Sequence, residues 1–439
     1  MKLKPYLNYK DSNVDWIGKI PEEWNTLKSS LIFSRINNHS HTGNEVLLSV
    51  SEFYGIKPKI DTLGNGDFLT HAESLIGYKK CSKNDLIMNI MLAWKKGLGI
   101  TEFDGIVSPA YEVFKTNILI ALPKYLHYLL RIGLYTTEFK KHSYGIIDSR
   151  LRLYPENFKN IPCIIPPKIN QKEIVSFLDK KTKIIDNTIE KDKELIELLK
   201  EKRNALINQA VTKGLNPNVP MKDSGIEWIG EIPENWNVDK IKYLLKETVT
   251  DGPHETPEFL DEGIPFLSVD SIQDGKLVFD NCRFISKLDF NKFKQKCNPK
   301  RNDVFMGKAA SVGKIAIVNV DFEFGIWSPL ALLRPNQNKI LPKFLEYSLK
   351  SRYSQYQIEL YVNTNTQKNI GMKDIPKIRL TLPPLKIQKK IVEFLDKETD
   401  YIGEIIDKTE TKIGLLEEYK ESLIYNVVTG KVDVRGVEV

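Results

Sequence analysis

The chain has 439 residues, more than one ordinary hydrophobic core organises, so we expect two or more domains. No stretch approaches the roughly 18 uninterrupted apolar residues of a membrane-spanning helix, and the N-terminal MKLKPYLNYK lacks the apolar run of a signal peptide, which favours a cytoplasmic protein with no membrane association. The net charge of +7 favours an anionic partner without identifying it, and the four cysteines, which lack a CxxC spacing, favour free thiols over disulfides or a zinc site.

The first predicted element is an entry box, DSNVDWIGKIPEEW at residues 11–24, which returns as DSGIEWIGEIPENW at residues 223–236. The two boxes carry four of the six tryptophans, namely Trp16, Trp24, Trp228 and Trp236. Because an aromatic ring buries a large area at little entropic cost, we expect each box to pin the chain against its own globular half or against the long helices described below.

The region between each box and the next Pro-Pro is predicted to be mixed α and β. Runs rich in β-branched and aromatic residues lie between Gly, Asn and Asp turns, as in EVLLSVS, NDLIMNIML and AYEVFK in the first half and PFLSV, KLVFD, NDVFMG and GKIAIVN in the second. One helix is expected after the Leu-Pro-Lys triplet of each half. The two halves agree only in fragments, so we expect one framework that carries different loops.

A second duplicated segment follows each half. PPKINQKEIVSFLDKKT begins at Pro166 and PPLKIQKKIVEFLDKET begins at Pro383, and the match continues to Thr212 and Thr429. Apolar residues recur at a spacing of about seven, which predicts a helical seam facing a partner helix, as in a coiled coil. The predicted seam comprises Leu178, Ile185, Leu199 and Leu206 in the first helix and Leu395, Ile402, Leu416 and Leu423 in the second.

The predicted fold class is α+β, with two mixed α/β domains separated by two long antiparallel coiled-coil helices in a pseudo-twofold internal repeat. The helices are antiparallel if the two ends of each compact half lie close together. The predicted boundaries are 1–165 for the first domain, 166–213 for the first helical spacer, 214–222 for a linker, 223–382 for the second domain, 383–430 for the second spacer and 431–439 for a C-terminal tail.

No catalytic or metal site is predicted. GKAASVGKI, at residues 307–315, has five residues between its glycines where a phosphate loop needs four, and Ile315 stands where Ser or Thr would bind magnesium. His39 and His41 have no third His or Cys nearby in the sequence. Since nothing assembles a nucleophile, a base and a stabilising group, the sequence favours a binding protein.

Several motifs, in this order and duplicated, make the whole chain resemble the specificity subunit of type I restriction-modification systems. They are the IPENW box, TDGPHETPEF at 250–259, GKAASVGKIAIV at 307–318, NTQKNIGMKDI at 365–375 and the PPxxxQ openings at Pro166 and Pro383. The first half departs from the pattern, because it lacks a DGxHxTP loop and has YGIIDSRLRLYPENF in its late loop. The resemblance implies two target-recognition domains, each reading a few base pairs of double-stranded DNA, in a subunit that is not itself catalytic.

Polar and basic loop residues are the predicted DNA contacts, because amides pair bidentately with adenine and lysine or arginine with guanine or phosphate. In the first half they are Trp94, Lys95, Lys96, Tyr144, Ser149, Arg150 and Arg152. In the second half they are His254, Thr256, Lys308, Ser311, Asn365, Thr366, Gln367 and Lys368.

The resemblance also implies partners. These are two methyltransferase (modification) subunits that use S-adenosylmethionine and motor-endonuclease (restriction) subunits that use ATP and magnesium, while this chain itself binds no cofactor. Two alternatives stay open at this point. One is the recognition subunit of a related system whose partner fuses nuclease and methyltransferase, and the other is a coiled-coil scaffold that does not bind DNA.

Overall fold

A computed structural model describes residues 3–62, 72, 74–363 and 368–437 of the chain. The chain divides into two compact units: unit 1 comprises Met1–Asp192 with Thr411–Val439, and unit 2 comprises Lys193–Glu410. The division falls inside the two long helices, so each unit contains a globular half and a segment of both helices.

The elements of unit 1 follow the sequence pattern of short β-rich runs before a long amphipathic helix. Its strands are β1 (Tyr9–Asp11), β2 (Lys19–Pro21), β3 (Asn25–Lys28), β4 (Phe33–Ile36), β5 (Leu48–Ser51), β6 (Gly55–Pro58), β7 (Lys79–Cys81), β8 (Leu86–Asn89), β9 (Leu98–Ile100), β10 (Gly105–Val107), β11 (Tyr111–Thr116) and β12 (Pro162–Ile165). Its helices are α1 (Ser29–Ile32), α2 (Pro123–Leu130), α3 (Gly133–Lys141), α4 (Pro155–Phe158) and α5 (Lys168–Lys213), which continues into unit 2.

Unit 2 repeats this order with different connections. Its strands are β13 (Met221–Asp223), β14 (Glu231–Pro233), β15 (Asn237–Lys240), β16 (Thr250–Asp251), β17 (Ile264–Leu267), β18 (Ile272–Gln273), β19 (Lys276–Leu277), β20 (Arg283–Ile285), β21 (Val304–Gly307), β22 (Ile315–Ile317), β23 (Gly325–Ile326), β24 (Leu330–Leu333), β25 (Val362–Asn363), β26 (Asn369–Ile370) and β27 (Arg379–Leu382). Its helices are α6 (Ile241–Leu244), α7 (Lys287–Phe293), α8 (Pro342–Lys350), α9 (Arg352–Tyr361) and α10 (Leu385–Val428), which continues into unit 1.

A four-stranded antiparallel sheet forms the centre of each unit. Its strand order is β4-β11-β8-β9 in unit 1 and β16-β24-β21-β22 in unit 2. The central strands β8 and β21 are buried along their whole length and are apolar except for Asn89 at the end of β8, as expected for strands covered on both faces. The framework predicted from the fragmentary matches is therefore present in both units.

The connections around these sheets differ between the units. Unit 1 has the hairpin β5-β6 and the pair β7-β10, whereas unit 2 has the hairpin β18-β19 and the three-stranded sheet β20-β17-β23, in which β17 and β23 are parallel. Both surround the sheet with segments of different length and pairing. The expectation of like frameworks with unlike loops agrees with this arrangement.

Two helices, rather than the single one predicted, follow each Leu-Pro-Lys triplet. Helix α2 is followed by α3, and α8 is followed by α9. The sequence GLYTTEFKK of α3 has a glycine and two threonines, which are poor helix formers. Its helical state depends on tertiary packing, since Tyr135 and Phe139 are fully buried in the core of unit 1.

The long helices are joined by ion pairs in unit 1 and contribute to a common apolar core in unit 2. In unit 1, Lys412 of α10 pairs with Asp192 of α5 at 2.9 Å, and Lys420 pairs with Asp186 at 2.6 Å. Numbers rise along α10 as they fall along α5, so the two segments run antiparallel in this unit. In unit 2, the end of α5 and the start of α10 contribute to one apolar core through Ala210, Val211, Ile391 and Leu395.

The predicted seam residues differ in burial. Leu178, Ile185, Leu395, Ile402 and Leu423 are buried, while Leu199, Leu206 and Leu416 are half-buried. Two further apolar residues of α5, Ile189 and Ile196, are also buried.

Each entry box packs against the end of a long helix. Trp236 of the second box is buried beside Gly214, and Trp24 of the first box is buried beside Gly430. Both glycines have left-handed backbones, with φ of 77° and 72°, and a Cβ at Gly430 would lie 2.4 Å from a Pro21 carbon. Glycine at this position ends the helix and lets the chain approach the box closely. Trp24 and Trp236 thus pin their boxes as predicted, whereas Trp16 is half-buried and Trp228 is 42% exposed.

Candidate nucleic-acid interface

The loop after β8 presents the first group of predicted contacts. A 3-10 turn, Ala93–Lys95, closes the loop, and Lys96 follows in a left-handed conformation with φ of 62°. The indole Nε1 of Trp94 donates to the Met91 carbonyl at 3.0 Å, and its half-buried ring packs against the core. The ring therefore anchors the turn, while Lys95 is exposed beside it with its Nζ 4.9 Å from the ring centroid.

The late loop of unit 1 closes through backbone bonds between Tyr144 and Arg152. The Tyr144 N–H donates to the Arg152 carbonyl at 3.0 Å, and the reverse bond measures 2.9 Å. Between them lies the 3-10 turn Asp148–Arg150, whose backbone includes Ser149. Tyr144, Arg150 and Arg152 are all exposed. The closed loop therefore presents an aromatic ring and two guanidinium groups to solvent.

Lys140 of α3, which the sequence reasoning did not select, links the two loops. Its Nζ lies 4.8 Å from the Trp94 ring centroid and 2.9 Å from an Asp148 carboxylate oxygen. The backbone adds a second link, because the Leu153 N–H donates to the Ile90 carbonyl at 2.8 Å. The two predicted groups of unit 1 thus form one surface. Lysine is common in the last turn of a helix, so the sequence offered no reason to assign Lys140 to this surface.

In unit 2, the carboxylate of Asp251 lies close to two lysines and a histidine. Asp251 is only 4% exposed, and its oxygens lie 2.6 Å from Lys296 Nζ, 3.0 Å from Lys308 Nζ and 3.3 Å from His254 Nε2. Burial raises the pKa of Asp251, but hydrogen bonds from Lys296 and Lys308 outweigh it and hold the pKa below its usual value. Lys308, with 12% of its side chain exposed, is held by this ion pair, whereas His254 is largely exposed.

The loop after β21 is also joined to the late loop of unit 2, which contains the motif at residues 365–375. The Ile370 N–H donates to the Lys308 carbonyl at 2.9 Å, and Ala309 forms a β-bridge with Asn369. Ser311 is half-buried, and Lys368 and Thr256 are exposed. The predicted contacts Asn365, Thr366 and Gln367 lie outside the described residues. GKAASVGKI connects two antiparallel strands of one sheet, β21 and β22, whereas a phosphate loop connects a strand to a helix.

A second group that sequence reasoning missed lies near the His254 loop. The guanidinium carbon of Arg283 lies 4.5 Å from the Phe259 ring centroid and 5.6 Å from that of Trp327. The backbone connects Trp327 to this loop, because the next residue, Ser328, donates its N–H to the Pro253 carbonyl at 3.2 Å. Arg283 is far in sequence from both rings, and Asp251 is far from Lys296 and Lys308, which explains why spacing could not identify these contacts.

The described residues contain no group of three or more His, Cys, Asp or Glu side chains that could hold a metal ion. The four cysteines are free thiols. Burial raises the pKa of Cys81 and Cys163 to about 12 and that of Cys297 to about 11, so these thiols stay protonated and weakly nucleophilic. Within the described parts of the chain, no helix is long and apolar enough to cross a bilayer.

Each unit therefore carries one surface of joined loops in which exposed cations stand beside carboxylates. Such a surface suits phosphate oxygens and base edges, because arginine and lysine donate hydrogen bonds to both. Ion pairs such as Lys308–Asp251 reduce the free charge and fix side-chain positions, which favours selective over purely electrostatic binding. The fold and these surfaces define a modular binding protein with two related, non-identical recognition units.

Residues 233–415 match the family model described as the type I restriction modification DNA specificity domain. The chain is 24% identical over 445 residues to the type I restriction enzyme MjaVIII specificity subunit of Methanocaldococcus jannaschii, covering 98% of each chain. It is 21% identical over 436 residues to the EcoKI specificity subunit of Escherichia coli, covering 94% of this chain and 90% of that one. Over nearly its whole length the chain is therefore similar to type I restriction enzyme specificity subunits.

Solved structures share the fold. One is a chain from a study of complex assembly and conformational transition of the type I restriction-modification system. It aligns with a TM-score of 0.71 at 17% identity, covering 94% of this chain and 99% of that one. The HsdS subunit from Thermoanaerobacter tengcongensis aligns with a TM-score of 0.53, also at 17% identity, covering 94% of this chain and 98% of that one.

Proposed function

We propose that this chain is the DNA-sequence recognition subunit of a type I restriction-modification complex and that it reads a bipartite, asymmetric site. The observation that carries this proposal is that two like frameworks present unlike loops. The sheets β4-β11-β8-β9 and β16-β24-β21-β22 share their strand order, whereas the late loops and the loops after β8 and β21 differ in sequence and contacts. Because the two frameworks are alike, we expect the two units to dock on DNA in the same way. Because their loops differ, we expect each unit to recognise a different half-site.

Each half-site is read by the loop surface of one unit. In unit 1, the exposed Lys95, Arg150 and Arg152 supply donors for phosphates and guanine edges. In unit 2, the exposed His254 and Lys368 do so, while Asp251 holds Lys308 at the base of the loop. Bases outside the two half-sites make no contact with these surfaces.

The helices α5 and α10 act as an antiparallel spacer that sets the gap between the half-sites. At 1.5 Å per residue, helices of this length extend about 70 Å. The antiparallel ion pairs of unit 1 support this arrangement.

We further propose that the chain is non-catalytic and acts with partners. Two methyltransferase subunits would carry S-adenosylmethionine, and motor-endonuclease subunits would carry ATP and magnesium. This chain would then supply the choice of sequence and no reacting group.

Methylome sequencing of the host, compared with a strain that lacks this chain, tests the proposal. We expect one gapped methyladenine motif to disappear. A complementary assay titrates salt against binding of duplex DNA by the assembled complex, since phosphate contacts make affinity fall steeply with salt. An unchanged methylome together with salt-insensitive or absent DNA binding would overturn the proposal and favour a protein scaffold.

A further inference from the structure

Arg131, just after α2, connects two surface segments through backbone carbonyls. Its Nη1 donates to the carbonyls of Lys96 and Leu98, each at 2.6 Å, and to that of Ser51 at 3.3 Å. Its Nη2 donates to the carbonyls of Glu52 at 2.8 Å and Phe53 at 3.3 Å. One guanidinium therefore holds the turn between β5 and β6 beside the loop that contains Lys95.

The same turn is packed tightly against α2. Gly55 has a left-handed backbone with φ of 83°, and a Cβ there would lie 2.7 Å from His127 Cε1. A Cβ at Gly99 would lie 3.2 Å from the same atom. His127 and Arg131 are one helical turn apart, so together they form a platform on which the hairpin and strand β9 rest.

In unit 2, two side chains hold the corresponding hairpin turn and loop. Lys350, at the end of α8, donates to the Gly275 carbonyl in the β18-β19 turn at 3.0 Å. Gln355 of α9 donates to the Gly313 carbonyl, in the loop after β21, at 3.0 Å. In both units, then, polar side chains from the helix pair hold a hairpin turn and the neighbouring loop by their backbones.

A backbone anchor leaves the side chains of the turn free for another role. Phe53 is 85% exposed at the tip of the hairpin, although its N–H is held by Ser51 Oγ at 3.1 Å. Lys57 lies over the neighbouring Tyr54 ring, with Nζ 5.2 Å from the centroid. The Phe53 ring adds nothing to the core, and Arg131 fixes its turn beside the loop that contains Lys95, so the ring and the nearby lysines are available together to a ligand.

We propose that the turn Ser51–Gly55 is a further DNA-contacting segment of unit 1, in which Phe53 makes an apolar contact with the bases and Arg131 is the positioning residue. This inference rests on the proposed function. The thymine methyl group is the apolar feature of the major groove that such a ring contacts. The neighbouring Lys95 and Lys57 favour the approach of phosphates, against the single carboxylate of Glu52 on the turn.

Selection of bound sequences from randomised duplex DNA by the assembled complex tests this inference. We expect Phe53→Ala to lower affinity about tenfold and to relax base preference at one or two positions of a single half-site, the same half-site that Arg150→Ala affects. Leu119→Ala removes another exposed apolar side chain of unit 1, 86% exposed, and should leave both half-sites unchanged. Phe53→Ala with unchanged preference and affinity would overturn the inference.

Arg131→Lys separates positioning from simple stability. A lysine cannot reach five carbonyls, so we expect the positions relaxed by Phe53→Ala to relax here too, while the preference in the other half-site stays unchanged. A variant that merely loses folded protein would show fewer bound molecules with the original preference, and that result would overturn the positioning role. A wild-type complex without sequence preference would instead contradict the proposed function itself.

Discussion

The side-chain amide of Gln171 accepts a hydrogen bond from the Leu122 backbone N–H at 2.6 Å, and Gln388 accepts the same bond from Leu341 at 2.8 Å. The amide nitrogen of Gln171 donates to the carbonyls of Pro166 and Ile120, at 2.8 and 3.3 Å. Since Leu122 directly precedes α2, the glutamine ties the start of α5 to the start of α2. The globular half of unit 1 is thereby fixed to its long helix.

Replacing either glutamine should destabilise its unit strongly. Both side chains are fully buried, and removal of the amide leaves one N–H and two carbonyls without partners. We expect Gln171→Ala and Gln388→Ala each to lower the free energy of unfolding by about 2–4 kcal/mol, measured by urea denaturation. Asn187→Ala, at an exposed position of α5, is the control and should change it by less than about 0.5 kcal/mol. A small effect at either glutamine would contradict this.

The repeat and the long helices could be predicted from the sequence because these features are local or duplicated, whereas the bonds of Gln171 and Gln388 join distant segments and could not. The PPxxxQ openings mark both helix starts, and a spacing of about seven marks the seam. The second helix after each Leu-Pro-Lys triplet could not be predicted. Helix α3, for example, owes its helical state to the burial of Tyr135 and Phe139 by distant segments.

The sequence could predict which loops form the candidate interface, but not which side chains join these loops. Polar loops identified Lys95, Arg150 and His254, all of which are exposed. Lys140 and Asp251 could not be predicted as interface residues, because each contacts side chains on other elements that only folding brings close. Single-sequence reasoning has no measure of such proximity.

Asp251→Asn should reduce discrimination more than total affinity. Loss of the carboxylate frees Lys296, Lys308 and His254 from their shared partner, so they remain available to phosphates but lose their fixed positions. We expect the ratio of specific to non-specific DNA affinity to fall about tenfold, with a steeper salt dependence. Fluorescence anisotropy with the full site and with a scrambled second half-site measures both quantities. Asp321→Asn, at an exposed ion pair with Arg301, is the matched control and should change neither.

Arg150→Ala and Gln367→Ala test the late loops of the two units. Because a side chain that pairs with a base contributes roughly 1–3 kcal/mol of discrimination between bases, each variant should relax base preference in a different half-site. Sequence selection from random DNA measures this, with Lys408→Ala on α10 as an exposed, charged control. If both variants keep wild-type affinity and preference, the assignment of these loops to base contact is wrong.

Acid should destabilise unit 1 through His127. Burial, together with the nearby Arg131 and Lys124, lowers the pKa of His127 to about 3, and its Nδ1 accepts the Ile100 N–H at 3.3 Å. The unfolded chain binds this proton near pH 6.5, so stability falls as pH drops from about 6.5 toward 3, by at most about 1.4 kcal/mol per pH unit. We expect His127→Gln, which keeps an acceptor, to have a shallower acid dependence in urea denaturation between pH 7.5 and 4.5. Parallel curves for variant and wild type would refute this.

Changing the length of one long helix should change the gap between half-sites. Four residues inserted between Lys193 and Glu194 of α5 add about 6 Å and shift the seam beyond the Asp192–Lys412 pair. We expect the preferred gap in selected DNA to lengthen, or binding to be lost. The same four residues inserted between Pro217 and Asn218, in the exposed segment after α5, should leave the gap unchanged. An unchanged gap with the helix insertion would mean that α5 does not set the distance between the half-sites.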